Sequence, residues 1–136
     1  MAPTARVTMR WKNGLVFEGG APERPSPVTV DGDSKAGTSP AELLLYAAVT
    51  CAAADIVGIL EKKRVVLKLF EATVEGTRRE EHPRRYLTIH FRFRFRGDGL
   101  DESKARQAID LSIEKYCTVI HTLNPDIPIT YDVTLA

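Results

Sequence analysis

The residues best suited to covalent chemistry in this sequence are its two cysteines, Cys51 and Cys117. A thiolate is a nucleophile, and two thiols that meet can cycle between a reduced and a disulfide state. Their separation fits no C-x-x-C zinc or thioredoxin-type pattern, and one pair cannot staple a disulfide scaffold. In a reducing compartment such a pair is either two small buried apolar residues or a reactive couple, and spacing alone leaves both readings open. The three histidines, His82, His90 and His121, have no H-x-x-x-H spacing, so no metal site is expected. There is no G-x-S-x-G turn and no glycine-rich phosphate loop, which leaves hydrolase elbows and nucleotide-binding folds without support. Arg92, Arg94 and Arg96, with Arg84 and Arg85 upstream, put guanidinium groups in one row. The row is expected to be a solvated sheet face balanced by Glu75, Glu80 and Glu81 rather than a nucleic-acid surface.

Cys51 lies in an apolar run, well past the first turn of the helix that should contain it, so that helix's own dipole does little for a thiolate there. A reactive Cys51 needs a cation from a loop or strand, and Arg10 and Arg24 are the arginines of the preceding segment that could reach it. One well-placed guanidinium could lower a thiol pKa by about one unit, about 1.4 kcal/mol in favour of the thiolate.

Several elements must position these groups. Arg6 to Trp11, Leu15 to Glu18 and Pro27 to Asp31 read as short strands, the first two joined by a hairpin at Asn13-Gly14. Proline-rich 19–27 and polar 31–39 read as loops. Ser39-Pro40-Ala41-Glu42 predicts a helix start with a Ser cap, Pro at the first helical position and Glu reaching back to the cap. The following run to Leu60 is apolar nearly all round, interrupted by Tyr46, Thr50, Asp55 and Gly58, which predicts a central core helix buried on most sides rather than a membrane span. Val65 to Thr77 alternates as a strand. From Leu87 to Phe95, Leu87, Ile89, Phe91, Phe93 and Phe95 alternate with polar residues in strict period two. Asp101 to about Thr122 predicts a second helix with an apolar stripe of Ala105, Ile109, Ile113, Tyr116, Cys117 and Ile120, and Ile129 to Leu135 a closing strand. The order is that of a single α+β domain, residues 1–136, with antiparallel sheet and two main helices.

Composition agrees with this class. The chain has 136 residues, 43% of them hydrophobic and 27% charged, with a formal net charge of +1. A chain of this size buries roughly two-thirds of its unfolded surface. Near-neutral charge provides no global field for nucleic acid or an acidic membrane. The start, M-A-P-T-A-R-V-T-M-R-W, has no apolar stretch after a basic end, so no secretory signal is expected and a cytoplasmic location is.

The run Gly37-Thr38-Ser39-Pro40-Ala41-Glu42-Leu43-Leu44-Leu45 followed by Cys51 resembles the helix opening of the osmotically inducible protein C and organic hydroperoxide resistance family (OsmC/Ohr). Glu114-Lys115-Tyr116-Cys117-Thr118-Val119 resembles the family's second-cysteine helix, and V-E-G-T-R-R-E-E-H-P-R-R-Y-L-T-I its middle hairpin. The resemblance implies an OsmC-like fold in an intertwined homodimer. It also implies a stress-response peroxidase with no cofactor: Cys51 attacks an organic hydroperoxide, Cys117 resolves the product as a disulfide, and an external thiol reduces the pair. In the family an acid follows the proline directly and an arginine precedes it in the loop. Here Ala41 holds the first position and Glu42 comes one residue later, about 100° further round the helix, so Glu42 is either half of a capping box or a site residue. The arginine's role would fall to Arg24. The alternative is an OsmC-fold protein that binds a small, lipid-like ligand and has no peroxidase activity.

Overall fold

The computed structural model describes residues 2–21 and 27–136. These gather into two compact units, one ending at Leu44 and the other running from Leu45 to Ala136.

In the first unit β1 (Thr8–Asn13), β2 (Val16–Gly20) and β3 (Val28–Asp31) form an antiparallel sheet in that order. The β1–β2 hairpin forms as expected, with its turn one residue further on. Asn13 pairs with Val16, and the turn residues are Gly14 and Leu15, Gly14 taking the left-handed φ of +50° that its missing Cβ permits. The Trp11 indole N–H closes the turn by donating to the Gly14 carbonyl at 2.9 Å.

After β3, the loop is organised by Asp31, which is 3% exposed. Its carboxylate accepts the backbone N–H groups of Asp33 (2.8 Å), Lys35 (3.3 Å) and Ala36 (2.9 Å). These bonds, led by that from Ala36, hold its pKa below the usual carboxylate range.

The loop delivers the chain to α1 (Pro40–Lys62), whose first turn belongs to this unit. The capping box is present. The Glu42 N–H donates to Ser39 Oγ, and Glu42 Oε1 accepts both the Ser39 N–H and the Ser34 hydroxyl, each at 3.1 Å. Removing the cap's oxygen in Ser39→Ala is expected to cost about 1 kcal/mol, read as a lower urea midpoint at unchanged slope.

In the second unit α1 continues, and β4 (Val66–Arg78), β5 (Tyr86–Asp98) and β6 (Ile129–Leu135) form a sheet in that order. β4 and β5 are antiparallel as expected, whereas β6 joins β5 in parallel. The reason is the helical connection between them, long enough to carry the chain back to the end where β5 began.

The β5 alternation holds for Ile89, Phe91, Phe93 and Phe95, all at most 1% exposed, but fails at Leu87, which is 41% exposed while Tyr86 is buried. The ladder explains the slip: Thr77 faces Thr88 and Arg78 faces Tyr86, so Leu87 is the extra residue of a bulge and the faces exchange there. Gly76 leaves room for the buried tyrosine, since a Cβ there would lie 2.5 Å from the Tyr86 ring. On the polar face Arg92 pairs with Glu75, as expected, and with Asp132, while Arg94 pairs with Glu71 at 3.5 Å and Glu81 with Arg79 rather than with the row.

Two expectations about the helices are corrected. α1 buries Ala48, Val49, Ala52, Ile56 and Leu60, essentially one stripe, while Leu44 and Tyr46 are exposed, so it is not buried on most sides within this chain. It is long and apolar enough to cross a membrane by length and composition alone, yet it packs here as a core helix through that stripe. The second helix is not continuous. α2 (Glu102–Leu111) passes into a π-helical turn, Ser112–Tyr116, breaks at Cys117, whose φ and ψ are −70° and 105°, and resumes as the short α3 (Thr118–Thr122). The wider π turn resets the phase of the apolar stripe, so Ser112 is buried and Tyr116 is 50% exposed.

Candidate functional site

Cys51 and Cys117 lie on different elements of the second unit, Cys51 in the middle of α1 and Cys117 at the break after the π turn. Both are free thiols. Cys51 is half-buried and Cys117 fully buried, and the Cys117 thiol lies 3.9 Å from the carbonyl of Ala48, three residues before Cys51 on α1, so the two cysteines are neighbours across the packed helices. The spacing that looked uninformative in sequence is therefore bridged by the packing of α1 against the broken helix.

The two segments approach closely because α1 presents small residues there. Ala48 and Ala52 have no exposed surface, and with only methyl groups between the backbones the Cys117 thiol approaches the Ala48 carbonyl at 3.9 Å while the Ser112 hydroxyl lies 3.3 Å from that of Ala52. Ser112 also donates to Asp55 Oδ2 at 2.9 Å. Within the broken helix the Cys117 N–H donates to the Ser112 carbonyl at 2.8 Å, the bond that closes the π turn.

Burial pushes the Cys117 thiol up to about 11. The neighbouring Cys51 raises it further, by hydrogen bonding and by like-charge repulsion with its thiolate, and the Ile120 and Val119 N–H groups oppose the rise. Cys117 is therefore a protonated thiol at neutral pH. Because the folded chain holds this proton more tightly than the unfolded one, the resulting stability is complete below the ordinary thiol value of 9.0 and is lost as pH rises toward about 11. Urea titrations of the reduced protein from about pH 8 to about pH 11 should show a steeper alkaline decline for wild type than for Cys117→Ala. Parallel curves would contradict this environment.

The remaining expected site residues are placed differently. Glu42 is engaged in the capping box, and its bonds, first the Ser39 N–H, then the Ser39 and Ser34 hydroxyls, hold its pKa below the ordinary value. Arg24 lies outside the described residues, and Arg10 is exposed on β1. Among the described residues no group of His, Cys, Asp and Glu is arranged to hold a metal ion.

Sequence reasoning missed Asp55 and Ser112. Asp55 carried a signal, since an acid inside an otherwise apolar helix needs a partner. Ser112 carried none, because its burial comes from the π turn. Asp55 also lines an open cleft of about 520 Å³ with Ala54, Gly58, Ile59, Leu111 and Tyr116, rimmed by Lys62 and Lys63.

Residues 31–132 match the family described as OsmC-like protein. Protein YhfA of Escherichia coli (strain K12) is 37% identical over 127 residues, covering 93% of this chain and 94% of that protein. Among solved structures, a hypothetical protein from Aquifex aeolicus VF5 is similar with a TM-score of 0.86 and 28% identity over 99% of both chains. The organic hydroperoxide resistance protein OhrB of Bacillus subtilis shares the fold with a TM-score of 0.63 and 15% identity, covering 96% of this chain and 98% of that one. The α+β architecture with two sheets, the apolar helix carrying Cys51 and the match over most of the chain converge on one assignment: this protein belongs to the OsmC-like family.

Proposed function

We propose that this protein is a thiol peroxidase that reduces organic hydroperoxides, with Cys51 as nucleophile and Cys117 as the resolving thiol. The observation that carries the reading is a half-buried Cys51 on α1 and a fully buried Cys117 whose thiol lies 3.9 Å from the carbonyl of Ala48 on the same helix and holds its proton to about 11. In the first step the Cys51 thiolate attacks the outer hydroperoxide oxygen. The S–O bond forms as the O–O bond breaks, and the alkoxide takes a proton to leave as the alcohol. Cys117 then attacks the Cys51 sulfenic acid, the S–S bond forms, and the hydroxyl departs as water with the Cys117 proton. Two equivalents of an external thiol return the pair to the reduced state and leave as their own disulfide.

The apolar surroundings of α1 favour alkyl over hydrogen peroxide, because apolar substrate surface gains from burial. A homodimer belongs to this reading. Support for it comes from apolar side chains left exposed in the single chain, among them Met9, Trp11 and Val28 in the first unit and Tyr46 on α1. Reduced cytoplasmic thiols would supply the reductant. Binding of a small ligand without turnover is the second reading, favoured by the cleft beside Asp55 and Tyr116. Peroxide consumption separates the two. Reduced protein given cumene hydroperoxide should remove about one equivalent without added thiol and turn over with a dithiol; persistence of the peroxide with both thiols still free would exclude the peroxidase.

A further inference from the structure

The π turn is where the two helices are tied together, and Ser112 makes both ties. Its side chain is fixed to α1 through Asp55 Oδ2 at 2.9 Å and the Ala52 carbonyl at 3.3 Å, and its own carbonyl accepts the Cys117 N–H at 2.8 Å. In an α-helix a residue five positions on lies about 140° further round the axis. Cys117 would then face away from the side on which Ser112 meets α1. A bond from residue 117 back to residue 112 closes one turn over five residues and returns Cys117 to that side. There its thiol reaches the Ala48 carbonyl at 3.9 Å, one α1 turn before Ala52 and three residues before Cys51 on the same helix. The four-residue step from Ala48 to Ala52 thus matches the five-residue step from Cys117 to Ser112.

We propose that Ser112, held by Asp55, is the positioning residue that keeps Cys117 in register with Cys51. This rests on the peroxidase reading only for its catalytic consequence. The hydroxyl fills a site with no exposed surface, so losing it frees the π turn to relax toward α geometry, which rotates the thiol away from its partner.

The test uses the full chain in two assays. In the first, wild type, Ser112→Ala and Asp55→Ala are equilibrated with reduced and oxidised glutathione, and the Cys51–Cys117 disulfide is measured by mass spectrometry. Each disulfide formed consumes one oxidised glutathione and releases two reduced ones. Both variants should need about tenfold or more oxidising buffer to reach the same disulfide fraction. In the second, each protein is mixed rapidly with cumene hydroperoxide and the sulfenic acid is trapped. The loss should fall on disulfide closure, slowed about ten- to hundredfold, rather than on the first oxidation of Cys51. Asp55→Asn, which keeps an acceptor for the Ser112 hydroxyl, should stay near wild type in both. Wild-type glutathione equilibria in folded Ser112→Ala and Asp55→Ala would overturn the proposal. A glutathione shift in the variants, together with a wild type that ignores hydroperoxide, would leave Ser112 in its role and remove the peroxidase reading instead.

Discussion

Cys51→Ser is expected to abolish reduction of cumene hydroperoxide, with turnover falling by about a thousandfold or more. The serine oxygen holds its proton at neutral pH and is a far weaker nucleophile than a thiolate toward peroxide oxygen, so nothing in the site replaces the sulfur. Cys117 cannot take over: it is fully buried and its thiol is pushed up to about 11, which leaves almost no thiolate at neutral pH. Cys117→Ser should behave differently. Its first oxidation should proceed while the Cys51 sulfenic acid persists, because only the second step needs the Cys117 sulfur. Peroxide consumption with a dithiol, followed side by side in the two variants, measures this asymmetry. Equal activity of Cys51→Ser and wild type would remove Cys51 from the chemistry altogether.

Phe93→Ala is expected to be the most destabilising single change, costing about 4 kcal/mol. Phe93 is 1% exposed at the centre of β5, and its ring lies 5.5 Å from Phe91, 6.0 Å from Phe70 and 6.2 Å from both Phe95 and Tyr131. Truncation removes the ring's own burial and opens a cavity that neighbours on two other strands cannot fill by moving one side chain. Against the about 5–15 kcal/mol that stabilises a typical domain, that is a large share. Leu87→Ala, in the same strand and the same sequence phase, should cost within about 0.5 kcal/mol because the bulge places Leu87 at the surface. Urea unfolding of both variants tests the pair. Similar losses would contradict the bulge.

Much of the fold was legible because it is written in local patterns. The Asn-Gly hairpin, the cap at Ser39, the polar row of arginines and the closing strand at Ile129 each follow from a few adjacent residues. What escaped depends on register and packing. Strict alternation through Leu87 could not show a bulge, since the extra residue is set by how β4 pairs with β5. An i, i+3, i+4 stripe through Tyr116 presumes 3.6 residues per turn, and the π turn breaks that presumption to satisfy Ser112 and Cys117 against α1. The parallel placement of β6 was hidden for a related reason: alternation marks a strand's faces and not its direction.

The site divides the same way. The two cysteines stood out by residue type and by their local contexts, and the capping side of Glu42 by the Ser39 to Glu42 spacing. The approach of Cys117 to α1 and the Asp55–Ser112 tie beside it are properties of the helix packing alone.

Peptide mapping of the reduced protein after one equivalent of cumene hydroperoxide tests the cysteine couple most directly. One new crosslink is expected, between the Cys51 and Cys117 peptides, with two hydrogens lost from the intact mass and one equivalent of alcohol formed. Free thiols at both positions after complete mixing, or oxidation at Cys117 with Cys51 unchanged, would contradict it.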